Sequence, residues 1–203
     1  MKYLIAIPCM DMVHTHFMAS LLGMRRPDGT EVGICSSSLI YDARNNLAMK
    51  AVNERFDRVL WLDSDMTFGE DMMEKLIADM DEGRDFVSAL YFTRKKPIKP
   101  CIYSSLAELE NGYTKALSYE DYPKGQVFQV GGCGFGAVMM STKLITDAGN
   151  HDRPFSPKPG WGEDFSFEIR AQEAGHILWC DSRIKCGHVG LSVIDESTWE
   201  GTQ

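Results

Sequence analysis

Two aspartates separated by one serine directly follow an apolar run of the chain. The run is "VLWL", Val59 to Leu62, and the carboxylates are Asp63 and Asp65. Residues i and i+2 of an extended segment project to the same side, so both carboxylates could face one ligand. Hard oxygen ligands of this kind suit Mg²⁺ or Mn²⁺ shared with a diphosphate. The alternative interpretation is a solvated turn or the cap of the next helix.

A second group of polar residues lies far downstream. In "GWGEDFSF", Glu163 and Asp164 follow a Gly-Trp-Gly turn and open a predicted helix, whose N-terminal dipole favours a carboxylate. A carboxylate held there could take a proton from a hydroxyl nucleophile, although a plain acidic cap gives the same pattern. In "KCGHVG", His188 is flanked by glycines just past a predicted strand. A neutral imidazole is a competent third metal ligand, although a lone histidine is more often structural.

The first 92 residues alternate apolar strands with amphipathic helices. This alternation predicts an α/β fold with a mainly parallel sheet covered on both faces, and ligands collect beyond the carboxyl ends of such strands. Trp61 and the helix face around Met72 and Met73 are predicted to pack in the core. The predicted strands are "KYLIAIPC", ended by Pro8, then "EVGICSSS", "RVLWL" and "DFVSALYF". The predicted helices are "MVHTHFMASLLGM", "YDARNNLAMKAVNERF" with Asp42 as N-cap, and "GEDMMEKLIADMDEG".

The pattern changes after residue 92. Residues 93–126 are polar and contain prolines, a basic run "RKKPIK" and the hairpin signal "ENGY". The remainder predicts a smaller mixed or antiparallel part, with an apolar segment "QVFQVGGCGFGAVMMS", helices over "TKLITDAG" and "EDFSFEIRAQEAG", a strand "HILWCDS" and a polar tail. The basic segment Arg94 to Lys99 and the loop Asn150 to Trp161 are candidates for an acceptor or phosphate contact and a lid, or equally for ordinary exposed loops.

Composition limits the classes of function. The formal net charge of −8 argues against sequence-independent nucleic-acid binding, because neutralising phosphates needs a basic face. The longest apolar runs are far too short for a membrane span, and the first residues do not read as a signal peptide. Six scattered cysteines without a C-x-x-C pair favour reduced thiols. We therefore expect one domain over residues 1–203, in the cytoplasm and without a membrane partner.

Six motifs of the chain together resemble a known enzyme family. The segments "AIPC", "DARN", "WLDSDM", "GGCGFGAVMM", "GWGED" and "CGHVG" resemble the GT-A fold glycosyltransferases, particularly small family-2-like enzymes of bacteria and phages. The resemblance covers nearly the whole chain in the right order. It implies a Rossmann-like sheet, a nucleotide-sugar donor, most often a UDP-sugar, a divalent Mn²⁺ or Mg²⁺, and a sugar, glycan or other hydroxyl acceptor. It also implies that residues 1–92 form the nucleotide-sugar half and residues 93–203 the acceptor and catalytic half.

The resemblance also assigns roles to individual residues. It implies that Asp65, supported by Asp63, binds the metal and the donor, and that His188 completes the metal shell. It implies that Asp164 is the acceptor-activating base, with Glu163 beside it, in a transfer that inverts the anomeric centre. Further donor contacts implied with it are Pro8, Cys9, Asp11, Arg44, Ser64, Gly132 and Gly134. Arg44 could instead pair with a surface acid, and the glycines could merely form a tight turn.

The chain departs from most of this family in length. Its acceptor region is abbreviated and it has no membrane-associating helix, so soluble or macromolecular acceptors are expected rather than lipid-linked ones. The segment "GGCGFG" is not a dinucleotide fingerprint, because the following "AVMMS" predicts a strand and not a helix.

Two other functions fit parts of the sequence. The segment "WLDSDMTF" matches the D-x-D-x-T element of haloacid-dehalogenase-like phosphatases, with Asp63 as nucleophile, Asp65 as acid/base and Thr67 as a positioning residue. That motif normally opens its domain, whereas here two strand-helix units precede it. The other alternative is a non-catalytic nucleotide- or glycan-binding protein. The presence together of Asp63, Asp65, Asp164 and His188 argues against it.

Overall fold

The computed structural model of the chain describes residues 1–108, 114–190 and 193–201. The strands are β1 (Tyr3–Cys9), β2 (Glu31–Ser36), β3 (Arg58–Leu62), β4 (Met66–Thr67), β5 (Phe86–Leu90), β6 (Ile102–Glu108), β7 (Thr114–Ser118), β8 (Val127–Val130), β9 (Gly132–Cys133), β10 (Ala137–Ser141), β11 (Leu178–Lys185), β12 (Gly187–Val189) and β13 (Val193–Ile194). The helices are α1 (Thr15–Gly23), α2 (Ile40–Asn53), α3 (Met72–Asp81), α4 (Thr142–Asp147), α5 (Glu163–Glu173) and α6 (Glu196–Glu200).

A mixed sheet forms the centre of the fold. Its strand order is β2-β1-β3-β10-β5-β11-β8. The strands β2, β1, β3, β5 and β11 run in one direction, and only β10 and β8 run against them. The predicted mainly parallel sheet is therefore confirmed. The antiparallel pairs all involve strands from the second half of the chain, as the change of pattern after residue 92 predicts.

The strands bury side chains on both faces of this sheet. In β1, Leu4 and Ala6 belong to one apolar cluster, and the alternating Ile5 and Ile7 belong to the other. Helices α2, α4 and α5 contribute to the first cluster, while α1 and α3 contribute to the second. The predicted core positions Trp61, Met72 and Met73 are all buried. Each such side chain contributes roughly 1.5–3 kcal/mol on full burial.

Two local predictions in the first half are wrong in detail. Strand β1 continues through Pro8 to Cys9. It can do so because pairing with β3 ends at Ala6, so the missing N–H of the proline breaks no ladder on that side. Asp42 is not the N-cap of α2, which begins at Ile40. Asp42 instead lies in the first turn of α2, where the helix dipole favours a carboxylate, and accepts a hydrogen bond from Arg153.

The second half adds small antiparallel units to the sheet. Strands β6 and β7 pair antiparallel on either side of the predicted "ENGY" turn, which lies outside the described residues. The predicted polar tail holds β12, β13 and α6, which was not foreseen because these elements are too short to give a periodic pattern. Trp199 of α6 stacks on Phe92 with ring centroids 5.2 Å apart. Within the described ranges, no helix is long and apolar enough to cross a membrane. All six cysteines are free thiols.

The glycines of "GGCGFG" have a packing role in this fold. A Cβ atom on Gly134 would lie 2.0 Å from the hydroxyl oxygen of Tyr91, and one on Gly136 would lie 2.8 Å from the Tyr91 ring. A Cβ atom on Gly131 would meet the backbone of Ser104 at 2.5 Å. The absence of side chains here lets β6 and the Tyr91 ring approach the segment that joins β8 to β10.

The substitution Gly134→Ala tests this packing. We expect it to lower the free energy of unfolding by about 1–3 kcal/mol, because the buried Tyr91 must move to make room for the methyl group. Gly23→Ala is the matched control, since a Cβ atom there meets no atom within 4 Å. Urea unfolding of both variants measures the effect. Equal stability of the two variants would contradict this account of Gly134.

Candidate active site

The chain turns sharply where β3 ends. The N–H of Met66 donates to the carbonyl oxygen of Asp63 at 3.2 Å, so the two aspartates lie in a turn and not in an extended segment. Directly after the turn, β4 pairs with β12, and Met66 lies opposite His188. The N–H of Val189 also donates to the carbonyl oxygen of Asp65 at 2.8 Å. The turn therefore sends the two carboxylates to different partners and brings His188 to Asp65.

Asp63 binds a buried arginine from α2. The Arg44 side chain is 3% exposed, and its Nη2 donates to Oδ1 of Asp63 at 2.8 Å. Its Nε donates to Oε1 of Glu163 at 3.3 Å. The guanidinium also lies over the rings of Phe135 and Trp61, with its Cζ atom 5.2 Å and 5.9 Å from the centroids. Arg44 thus joins the predicted donor-side aspartate to the predicted catalytic pair, and it is not paired with a surface acid.

Helix α5 begins at the predicted catalytic pair. Gly162 is the N-cap, and Glu163 and Asp164 occupy the first turn, as expected for acidic residues at a helix N-terminus. Burial raises the pKa of Asp164 to about 6, and the neighbouring charge of Glu163 adds to the effect. The backbone N–H of Phe165 donates to Oδ1 of Asp164 at 2.7 Å and partly opposes that rise. A carboxyl group with this pKa is mostly ionised at neutral pH and is a stronger base than an ordinary aspartate.

Asp65 faces a histidine and an arginine. Nε2 of His188 lies 3.7 Å from Oδ2 of Asp65, and Nη1 of Arg94 lies 2.7 Å from the same oxygen. Burial would raise the pKa of Asp65, but the hydrogen bond and charge of His188 and the charge of Arg94 outweigh it and lower that pKa. Nδ1 of His188 is 2.9 Å from the carbonyl oxygen of Phe92. That contact orients the ring so that Nε2 points at the carboxylate.

The donor atoms of this site fit a divalent cation only in part. Asp65 and His188 present an oxygen and a nitrogen that Mn²⁺ accepts, and both are close enough to share an ion after a small movement. Asp63 has one oxygen engaged by Arg44. No group of three or more histidine, cysteine, aspartate or glutamate side chains within the described ranges is arranged to hold a metal. An ion here would therefore need substrate oxygens to complete its shell, as Mg²⁺ and Mn²⁺ bound to diphosphates often do.

The structure adds a carboxyl group that the sequence analysis did not single out. Glu168 of α5 is fully buried, and its carboxyl accepts the backbone N–H of Cys133 at 2.9 Å and 3.1 Å. Burial raises the pKa of Glu168 well above its usual range, and the charge of Asp164 adds to the rise. The sequence signal that could have identified Glu168 is its position four residues after Asp164, on the same face of the helix. A Cβ atom on Gly132 would lie 2.9 Å from Oε2 of Glu168, which gives this glycine a packing role too.

The other predicted donor contacts lie at the same edge of the sheet. Ala6 pairs with Trp61, so the end of β1 with Pro8 and Cys9 lies beside the end of β3. Asp11 follows in the exposed connection to α1. The N–H of His14 donates to the carbonyl oxygen of Ser64 at 2.9 Å and ties this connection to the aspartate turn. The donor roles of these residues, and those of Gly132 and Gly134, stay predictions.

The Pro-rich loop from residue 150 to residue 161 packs on the core. Phe155 is fully buried, stacks on Phe167 with centroids 4.4 Å apart, and donates its N–H to Asn45 of α2 at 2.8 Å. Arg170 of α5 donates to the carbonyl oxygens of Pro154 and Ser156 at 2.9 Å and 2.7 Å. These contacts favour an ordered support for the start of α5 over a lid along this part of the loop.

Solved structures of similar shape show which fold the chain adopts. The chain matches A197 from STIV with a TM-score of 0.68 and 21% identity, over 94% of this chain and 86% of that one. It matches GalNAc-T7, crystallised with UDP, GalNAc and Mn²⁺, with a TM-score of 0.65 and 13% identity, over 100% of this chain and 45% of that one. It matches residues 1–349 of TarS from S. aureus, in complex with UDP-GlcNAc, with a TM-score of 0.57 and 15% identity, over 90% and 56% of the two chains.

These matches identify the architecture of the chain. It has a GT-A fold. The fold predicted from the sequence motifs is therefore confirmed. The chain spans about half the length of the GalNAc-T7 and TarS chains that it matches. No protein-family model matches the sequence, and no curated protein matches it either.

The ion pairs of Arg44 can be tested by removing the guanidinium. We expect Arg44→Met to lower the free energy of unfolding by about 3–5 kcal/mol, because it leaves Asp63 and Glu163 without their cation in a largely buried site. Arg25→Met is the matched control, because Arg25 also binds two glutamates but is 47% exposed. We expect little change from that control. Chemical denaturation measures both, and a small loss for Arg44→Met would show that the buried pairs do not stabilise the fold.

Proposed function

We propose that the protein is a metal-dependent glycosyltransferase that moves a sugar from a nucleotide-diphosphate donor, most simply a UDP-sugar, to an acceptor hydroxyl. The observation that carries the proposal is the convergence of two acidic pairs in a GT-A fold. Asp63 and Asp65 follow β3, Glu163 and Asp164 begin α5, and Arg44 joins the two pairs. The likeness to GalNAc-T7 and TarS, whose structures contain UDP or UDP-GlcNAc, supports the same class of donor.

The charge of the cluster supports a cationic cofactor. The four carboxylates face two arginines, Arg44 and Arg94, so the cluster has an excess of negative charge. Mn²⁺ or Mg²⁺ would be held by Asp65, with Asp63 and His188 as the further proposed ligands, and would offset the charge that builds on the leaving diphosphate. GalNAc-T7, the neighbour crystallised with Mn²⁺, is in keeping with this proposal. When the donor binds, Arg94 of this chain would exchange its contact with Asp65 for one with a phosphate oxygen of the donor.

Asp164 is the proposed base. It would accept the proton of the acceptor hydroxyl as that oxygen attacks the anomeric carbon from the face opposite the diphosphate, which inverts the configuration. Its pKa of about 6 suits proton transfer near neutral pH. The negative charge of Glu163 disfavours ionisation of Asp164 and so helps to raise its pKa, and Arg44 holds Glu163 in place. The proton-transfer role of Asp164 therefore depends on its burial and on its neighbours in α5.

A panel of nucleotide sugars tests the proposed function. Binding and slow hydrolysis of UDP- and GDP-sugars are measured with Mn²⁺, with Mg²⁺ and with a chelator. We expect metal-dependent binding of a UDP-sugar and release of UDP. Failure to bind any nucleotide, with turnover of p-nitrophenyl phosphate, would overturn the proposal in favour of a phosphatase that uses Asp63 and Asp65. Binding without any release of UDP, even with a range of hydroxyl acceptors, would favour a non-catalytic binding protein.

The base assignment has its own test. We expect Asp164→Asn to lower the rate of donor hydrolysis by about 10²- to 10⁴-fold, because water also needs a base, while UDP still binds. The rate of the unchanged protein should rise with pH through an apparent pKa of about 6, since only the ionised carboxylate accepts a proton. The control is Glu173→Gln, an exposed position on the same helix. An unchanged rate in Asp164→Asn, or a rate that falls between pH 5 and 7, would refute the assignment.

A further inference from the structure

A cleft adjoins the proposed active site on the side of the β6–β7 hairpin. It has a volume of about 770 Å³ and lies between strands β6 and β7 and the segment 93–100 that follows β5. Tyr91 and His188 are among the residues that line it. His188 lies 3.7 Å from Asp65, and its ring meets Tyr91 edge to face with centroids 5.4 Å apart. The cleft therefore opens directly onto the proposed metal and donor site.

The cleft is basic although the protein as a whole is acidic. Five lysines and arginines line it, against the single carboxylate of Glu120, whereas the whole chain has a net charge of −8. Glu120 is already paired with Lys99 at 2.7 Å. Lys95 and Lys115 are exposed on opposite walls, and among the side chains that the structure describes no carboxylate forms an ion pair with either of them. Uncompensated cations in a concave site raise the local concentration of anions.

Apolar surface accompanies these charges. Pro97, Pro100 and the partly exposed Leu117 also line the cleft, as does Tyr103. The Tyr103 ring packs edge to face on Phe165, the residue after Asp164, with centroids 4.9 Å apart. One wall of the cleft thus extends to the proposed base. An apolar wall with an aromatic ring suits a sugar, whose C–H groups are apolar, better than a bare inorganic anion.

We propose that this cleft binds the acceptor, and that the acceptor is an anionic carbohydrate carrying a phosphate or carboxylate group near the hydroxyl that is glycosylated. The inference rests on the proposed transferase function. Lys95 and Lys115 bind the anionic group, and the apolar wall with Tyr103 positions the ring so that its hydroxyl faces Asp164. A nucleic acid fits less well, because a long polyanion would be repelled by the acidic surface beyond the cleft.

Binding of simple sugars tests the charge preference. The affinities of glucose 6-phosphate, glucuronate and glucose are measured by calorimetry or NMR titration with UDP and Mn²⁺ present. We expect at least one charged sugar to bind about tenfold or more tightly than glucose, and its affinity to fall as salt is added. The phosphate and carboxylate arms distinguish the two sources of negative charge. Equal affinity for glucose and both charged sugars, or no binding of any, overturns the proposal.

Paired charge variants test the location. We expect Lys95→Gln combined with Lys115→Gln to lower the affinity for the charged sugar about tenfold. The matched control is Arg26→Gln combined with Arg55→Gln, which removes two exposed positive charges outside the cleft and should leave that affinity unchanged. The same loss in both double variants overturns the assignment, as does no loss in the first. Tighter binding of a short oligothymidylate than of either charged sugar overturns it in favour of a nucleic acid.

A separate titration with UDP and Mn²⁺ distinguishes the two proposals. If UDP binds but neither charged sugar is preferred to glucose, only the acceptor proposal fails. If a charged sugar binds through Lys95 and Lys115 but no nucleotide binds, the basic cleft is a genuine anion site and the transferase function fails.

Discussion

The buried charge of Arg44 constrains the edge of the sheet at which β3 ends. A guanidinium in this position is costly unless carboxylates and hydrogen bonds compensate it, so α2, the end of β3 and the start of α5 must stay together. Asp63 and Glu163 supply that compensation from positions far apart in the sequence. The carboxylate next to Glu163 is Asp164. The ion pair between Arg44 and Glu163 therefore also fixes the position of the proposed base. Structural stability and the geometry of the site depend on one set of contacts.

Local patterns in the sequence were enough to predict most of the fold. The apolar runs of β1, β3, β5 and β10 and the acidic start of α5 were correct, because each depends on a few adjacent residues. The partners of Arg44 were not predictable from local patterns, since Glu163 lies 119 residues away and only the tertiary fold brings it close. The "DSD" segment was interpreted as extended, with a turn as the alternative, because a strand end and a turn share the same polar residues, and the structure has the turn. Glu168 escaped notice because a single glutamate in a helix is usually exposed.

An acidic cluster and a basic cleft lie next to each other in this protein. The carboxylates of the aspartate turn and of α5 form an acidic cluster, and the lysines of the 93–100 segment and of β7 line the adjacent cleft. Arg94 lies at the boundary and connects the two regions through Asp65 and the carbonyl oxygen of Val189. An overall acidic surface keeps this contrast local, because the basic side chains outside the cleft are largely paired with glutamates and aspartates.

The position of β10 has a consequence for how the chain acquires its structure. Strand β3 has its second neighbour in β10, and Leu62 pairs with Ala137, so that edge of β3 stays open until the later part of the chain has been synthesised. An unpaired apolar strand edge is a site for aggregation in a nascent chain. The distant pairing also raises the contact order and slows folding relative to a sheet built only from successive neighbours. The aspartate turn after β3 therefore reaches its final form only after β10 has been synthesised.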